Sequence, residues 1–164
     1  MQRQLLEIRP ATDDDIDRLL PIFTAVAGER LWISTEPGFD PGLYRERWRR
    51  LLRDNNAASF AALYDGLPAG QLNVYPHDEY GHIIGMYVDA QQRGKGIGTK
   101  LLDAGIAWAR ERGLSSISLL VFPHNTHAIS LYRKAGFEQR DYFARDVPRR
   151  NGEVWDSVLM TKIL

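Results

Sequence analysis

Apolar residues recur along this chain at two spacings, and the changes between them lay out the elements. Ile16, Leu19, Leu20 and Phe23 fall three and four apart, the rhythm of one buried helix face. Thr12 followed by three aspartates opens that helix. A threonine caps free backbone N–H groups, and an acidic first turn suits the positive end of the helix dipole. A loop over 28–41 holds Trp32, and an arginine- and tryptophan-rich helix is expected over 43–53. Ile97, Leu101, Leu102, Gly105 and Trp108 share one face of a helix over 96–112, which Gly113 stops. A short helix over 125–135 carries Ala128, Ile129 and Tyr132 on one side. Short apolar runs at 5–10, 57–64, 69–75, 82–88, 115–122, 137–147 and 154–164 read as strands. Asp65-Gly66 and Asn151-Gly152 supply turns between neighbouring strands. The order β-α-α-β-β-β-α-β-α-β-β mixes hairpins with helical crossovers. It predicts a mixed α/β (α+β) layer fold and argues against an all-parallel sheet.

Composition narrows the field. The chain has 164 residues, 44% hydrophobic and 26% charged, which predicts a single domain over 1–164 that needs no disulfide or metal staple. Lys and Arg total 21, as do Asp and Glu. That balance argues against a general nucleic-acid or membrane-surface binder, which carries a basic excess. No apolar run approaches the roughly 20 residues of a membrane span. The N-terminal residues 1–7 lack the apolar stretch of a secretory signal, so a cytoplasmic location is expected. With no cysteine, thiolate metal sites and a cysteine nucleophile are excluded.

The segment Arg93-Gly94-Lys95-Gly96-Ile97-Gly98 stands between an expected strand and an expected helix. Three glycines in five residues are costly for a helix start alone. They let several backbone N–H groups approach an anion at a helix N-terminus, where amides are unpaired and the dipole is positive. A Walker A loop fails, because Gly96 follows Lys95 where Ser or Thr is required. The dinucleotide fingerprint fails too, because Thr99 and Leu101 stand where its last glycine belongs. The pattern Gln/Arg-x-x-Gly-x-Gly/Ala fits Arg93, Gly96 and Gly98. It resembles the coenzyme A pyrophosphate loop of the Gcn5-related N-acetyltransferases. Downstream, Asn125, Ala128, Leu131-Tyr132 and Gly136-Phe137 resemble the second signature of that family, in the family's order. The resemblance is close over about 81–139; residues 1–75 match only in the order of elements.

The resemblance implies a mostly antiparallel sheet of six to seven strands with about four helices and a V-shaped splay between the central strands. It implies an acyl-CoA-dependent N-acetyltransferase that moves an acetyl group from acetyl-CoA to a primary amine by direct attack in a ternary complex. The coenzyme would lie against Arg93, Gly94, Lys95, Gly96, Ile97, Gly98 and Thr99, with pantetheine beside the backbone of Met86, Tyr87 and Val88. An N–H near Met86 would polarise the thioester carbonyl. Asn125 would bond the pantetheine arm, or simply cap its helix. Tyr132 would protonate the departing thiolate, or stand as a core aromatic.

The ammonium of the acceptor must lose a proton before it attacks. His82 and Glu79 are the candidate bases, with His77 and Asp78 nearby; an imidazole has a suitable range. His77-Asp78-Glu79 also reads as a solvated turn. Trp32, Glu36 and Trp155 are candidate acceptor contacts, an aromatic and acidic set suited to a cationic amine. A small-molecule amine is the expected partner, with no metal. A protein N-terminus or lysine, or a non-catalytic acyl-CoA sensor, are the alternatives. Many relatives are dimers, so a homodimer is expected by analogy.

Overall fold

A computed structural model of the chain describes residues 5–164, with Ile84 through its backbone alone. Residues 1–4, which open the N-terminal stretch read for a signal, lie outside the described residues. In chain order the elements are β1 (Leu6–Pro10), α1 (Asp13–Gly28), α2 (Pro41–Arg53), β2 (Ala58–Tyr64), β3 (Leu67–His77) and β4 (Tyr80–Val88). There follow α3 (Ile97–Glu111), β5 (Ser116–Val121), α4 (Thr126–Lys134), β6 (Glu138–Pro148) and β7 (Val154–Ile163). All seven strands join one sheet in the order β1-β2-β3-β4-β5-β7-β6. Only β4 and β5 run parallel; the other neighbours are antiparallel.

The local chemistry explains the boundaries. Thr12 caps α1 in a reciprocal box with Asp15. Asp40 caps α2, and Pro41 occupies its first turn, where a missing N–H costs nothing. Asp65 and Gly66 both take positive φ, +52° and +79°, as a primed hairpin turn requires. The β3–β4 hairpin runs further than its apolar stretches suggest, to a tight turn at Asp78 and Glu79, with Asp78 at φ +49°. A 3₁₀ turn over Ala90–Gln92, capped by Asp89, was not foreseen.

The sheet carries a core on each face. Leu72, Val74, Leu101, Leu102, Ile117 and Met160 belong to the cluster under α3 and α4. Ile16, Leu19, Phe23, Trp48, Ala61 and Tyr87 belong to the cluster under α1 and α2. Alternation along β3 serves both: Leu72 and Val74 face α3, while Gln71, Asn73 and Tyr75 face the other way.

The centre of the sheet opens. β4 pairs with β5 only from Tyr80 to Ile83, against Ser116 to Leu119. Beyond that point an extra residue enters β4 opposite β3, between the pairs Asn73–Ile84 and Gln71–Tyr87. Gly85 sits in this bulge at φ +82°. A bulge bends its strand and deepens its twist, so β4 turns away from β5 and leaves its edge unpaired on that side. This is the expected V-shaped splay.

Candidate active site

A cleft of about 1110 Å³ occupies the splay. At one end lies the glycine loop. Gly94 and Gly96 hold φ +78° and +79°, and no described atom lies within 4 Å of where a Cβ would stand on either. Gly96 is the N-cap of α3 and offers no side-chain acceptor. The first N–H groups of a 15-residue helix therefore face open cleft without a capping oxygen. The loop fits an anionic diphosphate, because bare amides and the helix dipole both favour negative charge. Gly98 is packed differently: a Cβ there would stand 3.3 Å from Leu131 and Met86, so glycine lets α3 approach α4 and β4.

The charged side chains of this loop are already engaged. Arg93 donates to both carboxylate oxygens of Glu29, at 2.8 and 2.7 Å. The Arg93 hydrogen bonds hold the Glu29 carboxyl below its usual range. Lys95 donates to Gln92 at 2.6 Å and lies 4.3 Å over the Tyr64 ring. Arg93 lines the cleft, whereas Lys95 does not.

Midway along the cleft, Tyr132 is buried and its hydroxyl points at Met86 Sδ, 3.9 Å away. Burial pushes this phenol up to about 12, so it holds its proton at neutral pH and can only give one. Asn125 caps α4 by accepting from Ala128 N at 3.3 Å, and it also lines the cleft. The cap and the lining coexist in one side chain.

The far end of the cleft is walled by the loop between α1 and α2. Arg149, 6% exposed, donates to the carbonyls of Ile33 and Ser34 at 3.4 and 3.1 Å. Its guanidinium lies 4.1 Å over Trp155. From the other side, His124 Nε2 donates to Leu31 O at 2.6 Å. The loop is thus fastened to both β6–β7 and the start of α4.

The structure distributes the sequence candidates unevenly. Trp32 lines the cleft with His82. Glu36 and Trp155 do not; they line a separate cavity of about 160 Å³. Glu36 faces Arg149 Nε at 3.6 Å and accepts from Arg150 N at 3.0 Å, so it is committed to loop anchoring. Glu79 is exposed in the β3–β4 turn, outside the cleft, and holds Ser115 through its carbonyl. Of the two candidate bases, Glu79 therefore stands apart from the cleft. His82 stands inside, 3.4 Å from Ser118 Oγ. Burial, with His77 adding to it, holds its imidazole below the ordinary range. Arg47, Asn73 and Tyr75 also line the cleft and were missed. Alternating polar residues on a strand read as a solvated face, and nothing local says that a helix pair covers them.

A model of the Acetyltransferase (GNAT) family matches residues 25–137, which takes in the glycine loop, Asn125 and Tyr132. The chain belongs to the GNAT family. An uncharacterized N-acetyltransferase of Methanocaldococcus jannaschii is 29% identical over 147 residues, 82% of this chain and 61% of that protein. A mycothiol acetyltransferase of Cellulomonas flavigena is 35% identical over 106 residues, 63% of this chain but 29% of that protein. The chain therefore spans under two-thirds of the length of these relatives. Among solved structures, a ribosomal-protein-alanine N-acetyltransferase from Brucella melitensis superimposes with a TM-score of 0.87 at 27% identity, covering 96% of this GNAT chain and 99% of that one.

Proposed function

We propose that residues 1–164 form one acetyltransferase domain that moves an acetyl group from acetyl-CoA to a small-molecule primary amine. One observation carries this reading: the uncapped N-terminus of α3 and the Tyr132 hydroxyl open onto the same cleft, in the gap between β4 and β5. Acetyl-CoA would supply the acyl group as a thioester. The amides of residues 94–99 hold its diphosphate, with Arg93 beside them. Gly85 and Met86 in the bulge have no ladder partner on β3, and an N–H there polarises the thioester carbonyl. Asn125 steadies the pantetheine arm while capping α4.

The amine nitrogen attacks the carbonyl carbon; the new C–N bond forms as the C–S bond breaks. The proton lost from the ammonium passes to His82, which its depressed range keeps neutral at pH 7. Tyr132 gives its proton to the departing sulfur and regains one from the attacking nitrogen, which sheds its second proton as it becomes an amide, while His82 passes the first proton to solvent. The fastened α1–α2 loop favours a small acceptor over an extended peptide, because it closes one side of the far end. The test is thiol release from acetyl-CoA across a panel of primary amines, beside a panel of peptides. Amine-dependent release supports the reading. Release with peptides alone would replace the small molecule by a protein substrate, and release with neither would overturn it.

A further inference from the structure

The acceptor end of the cleft presents a hydrogen-bond donor whose direction is fixed from below. Tyr87, Gln71, Ser59 and Asn73 are all buried. Tyr87 OH donates to Gln71 Oε1 at 2.8 Å. Burial raises this phenol well above its usual range, so its proton stays on. If Gln71 were turned over, that buried O–H would have no acceptor among the described residues, a cost of about 1–3 kcal/mol. Gln71 therefore aims its amide nitrogen the other way, toward Asn73 Oδ1 at 3.2 Å and Ser59 Oγ at 3.3 Å. Ser59 Oγ donates to the same Asn73 Oδ1 at 2.7 Å. With its oxygen doubly occupied, Asn73 must turn Nδ2 outward. That nitrogen lies 3.4 Å from where a Cβ on Gly85 would stand, and no described residue accepts from it.

The charge around this donor has one sign. Tyr75 follows two residues along the same strand face and stands opposite His82. Arg47 lines the cleft from α2, its guanidinium 5.4 Å over the Tyr44 ring and close enough to Tyr75 to favour that phenol's charged form. Its neighbours Arg45 and Arg49 pair with Asp17, but no described carboxylate pairs with Arg47. The cleft's other charged lining residues, Arg93, Asp103 and Lys134, come from the glycine loop, α3 and α4, so they stand toward the coenzyme end. Glu36, the acid expected to attract a cationic amine, is held by Arg149 outside the cleft.

We propose that the acceptor is an amine whose own skeleton carries a carboxylate, oriented by the Asn73 Nδ2 donor and the Arg47 guanidinium. This rests on the amine acetyl-transfer reading above and names its substrate class. A guanidinium and an amide N–H together match the paired oxygens of a carboxylate. A diamine or polyamine would meet positive charge and no acid.

The experiment compares matched acceptors in a thiol-release assay: α-amino acids beside the amines left by their decarboxylation, and ω-amino carboxylates beside alkylamines and diamines of equal length. Each is run with the wild type, Arg47→Gln and Asn73→Asp. The aspartate keeps the two accepted hydrogen bonds and replaces the donor by a charge. Calorimetry with acetyl-CoA on all three proteins monitors the donor site. The expected result is a carboxylate-bearing acceptor preferred at least tenfold in kcat/KM, a preference lost in both variants at unchanged acetyl-CoA affinity. A preferred alkylamine or diamine, or a preference that survives both substitutions, would overturn the inference and leave acetyl transfer standing. Acetyl-CoA binding without turnover of any of these amines would overturn the inference together with the small-molecule amine reading it rests on. No acetyl-CoA binding would overturn the proposed function, and the inference with it.

Discussion

Burial decides what Tyr132 can do. Its hydroxyl is held against Met86 Sδ, and burial pushes its pKa up to about 12. Such a group is a poor base at pH 7 and a usable acid for a thiolate, which needs a proton as the C–S bond breaks. His82, on β4, the strand that leads into the glycine loop, is shifted the other way: burial lowers it and leaves the imidazole neutral. Burial disfavours the charged form of both, so at pH 7 Tyr132 rests with a proton to give and His82 with a lone pair to accept one. Tyr132→Phe should lower kcat by about 10²–10⁴-fold, the range for a positioned proton donor, while acetyl-CoA affinity stays within about twofold. Steady-state thiol release and calorimetry on the same protein check this, and an unchanged kcat would remove Tyr132 from the chemistry.

Among the elements, the α1–α2 loop depends most on distant residues. Arg149 lies more than a hundred residues from the carbonyls it holds, and hydrogen bonds to a charged group are worth about 1.5–3 kcal/mol each. Arg149→Met keeps the aliphatic bulk and removes those bonds. Loosening the wall should raise KM for the amine by about tenfold, equivalent to 1.4 kcal/mol, with little change in acetyl-CoA affinity. An amine KM equal to wild type would show that the loop does not shape the acceptor end. This is also where the sequence was silent. Helix faces, the Asp65-Gly66 turn and the glycine loop were legible because their signals are local: periodicity, positive φ, and glycine density before a helix. The splay was legible only through the family resemblance, although a lone Gly85 within an apolar strand is itself a bulge signal. The capture of Glu36 by Arg149, and the buried run from Tyr87 to Asn73, arise from tertiary neighbours. No local pattern announces them.

At the scale of the whole molecule, two cores hold one sheet that is open at its centre, so stability and the cleft come from different ends of the same strands. Asp15 ties the edge of this assembly together. It is 2% exposed, accepts from Arg9 at 2.5 and 3.1 Å and closes the Thr12 capping box. Burial alone would raise its carboxyl, but the Arg9 and Thr12 hydrogen bonds outweigh burial and lower it. A folded value below the unfolded one gives stability that is present above about pH 4 and is lost as pH falls through the folded value. Asp15→Asn should cost about 1–3 kcal/mol at pH 7, from the lost cap and ion pair. It should also flatten the fall in stability between pH 5 and 3. Urea unfolding at both ends of that range measures the difference, and parallel curves for the two proteins would contradict the assignment.

Every proposed step depends on an acyl-CoA diphosphate held by bare amides at the start of α3. Calorimetric titration of acetyl-CoA into the wild type and into Gly96→Val tests that directly, with circular dichroism to confirm that both are folded. The Val side chain would project into the open space above Gly96 and strain its left-handed backbone. One-to-one binding by the wild type, weakened by roughly a hundredfold or more in the variant, about 2.7 kcal/mol, is the predicted result. No binding by the wild type, or equal binding by a folded Gly96→Val, would contradict the account at its centre.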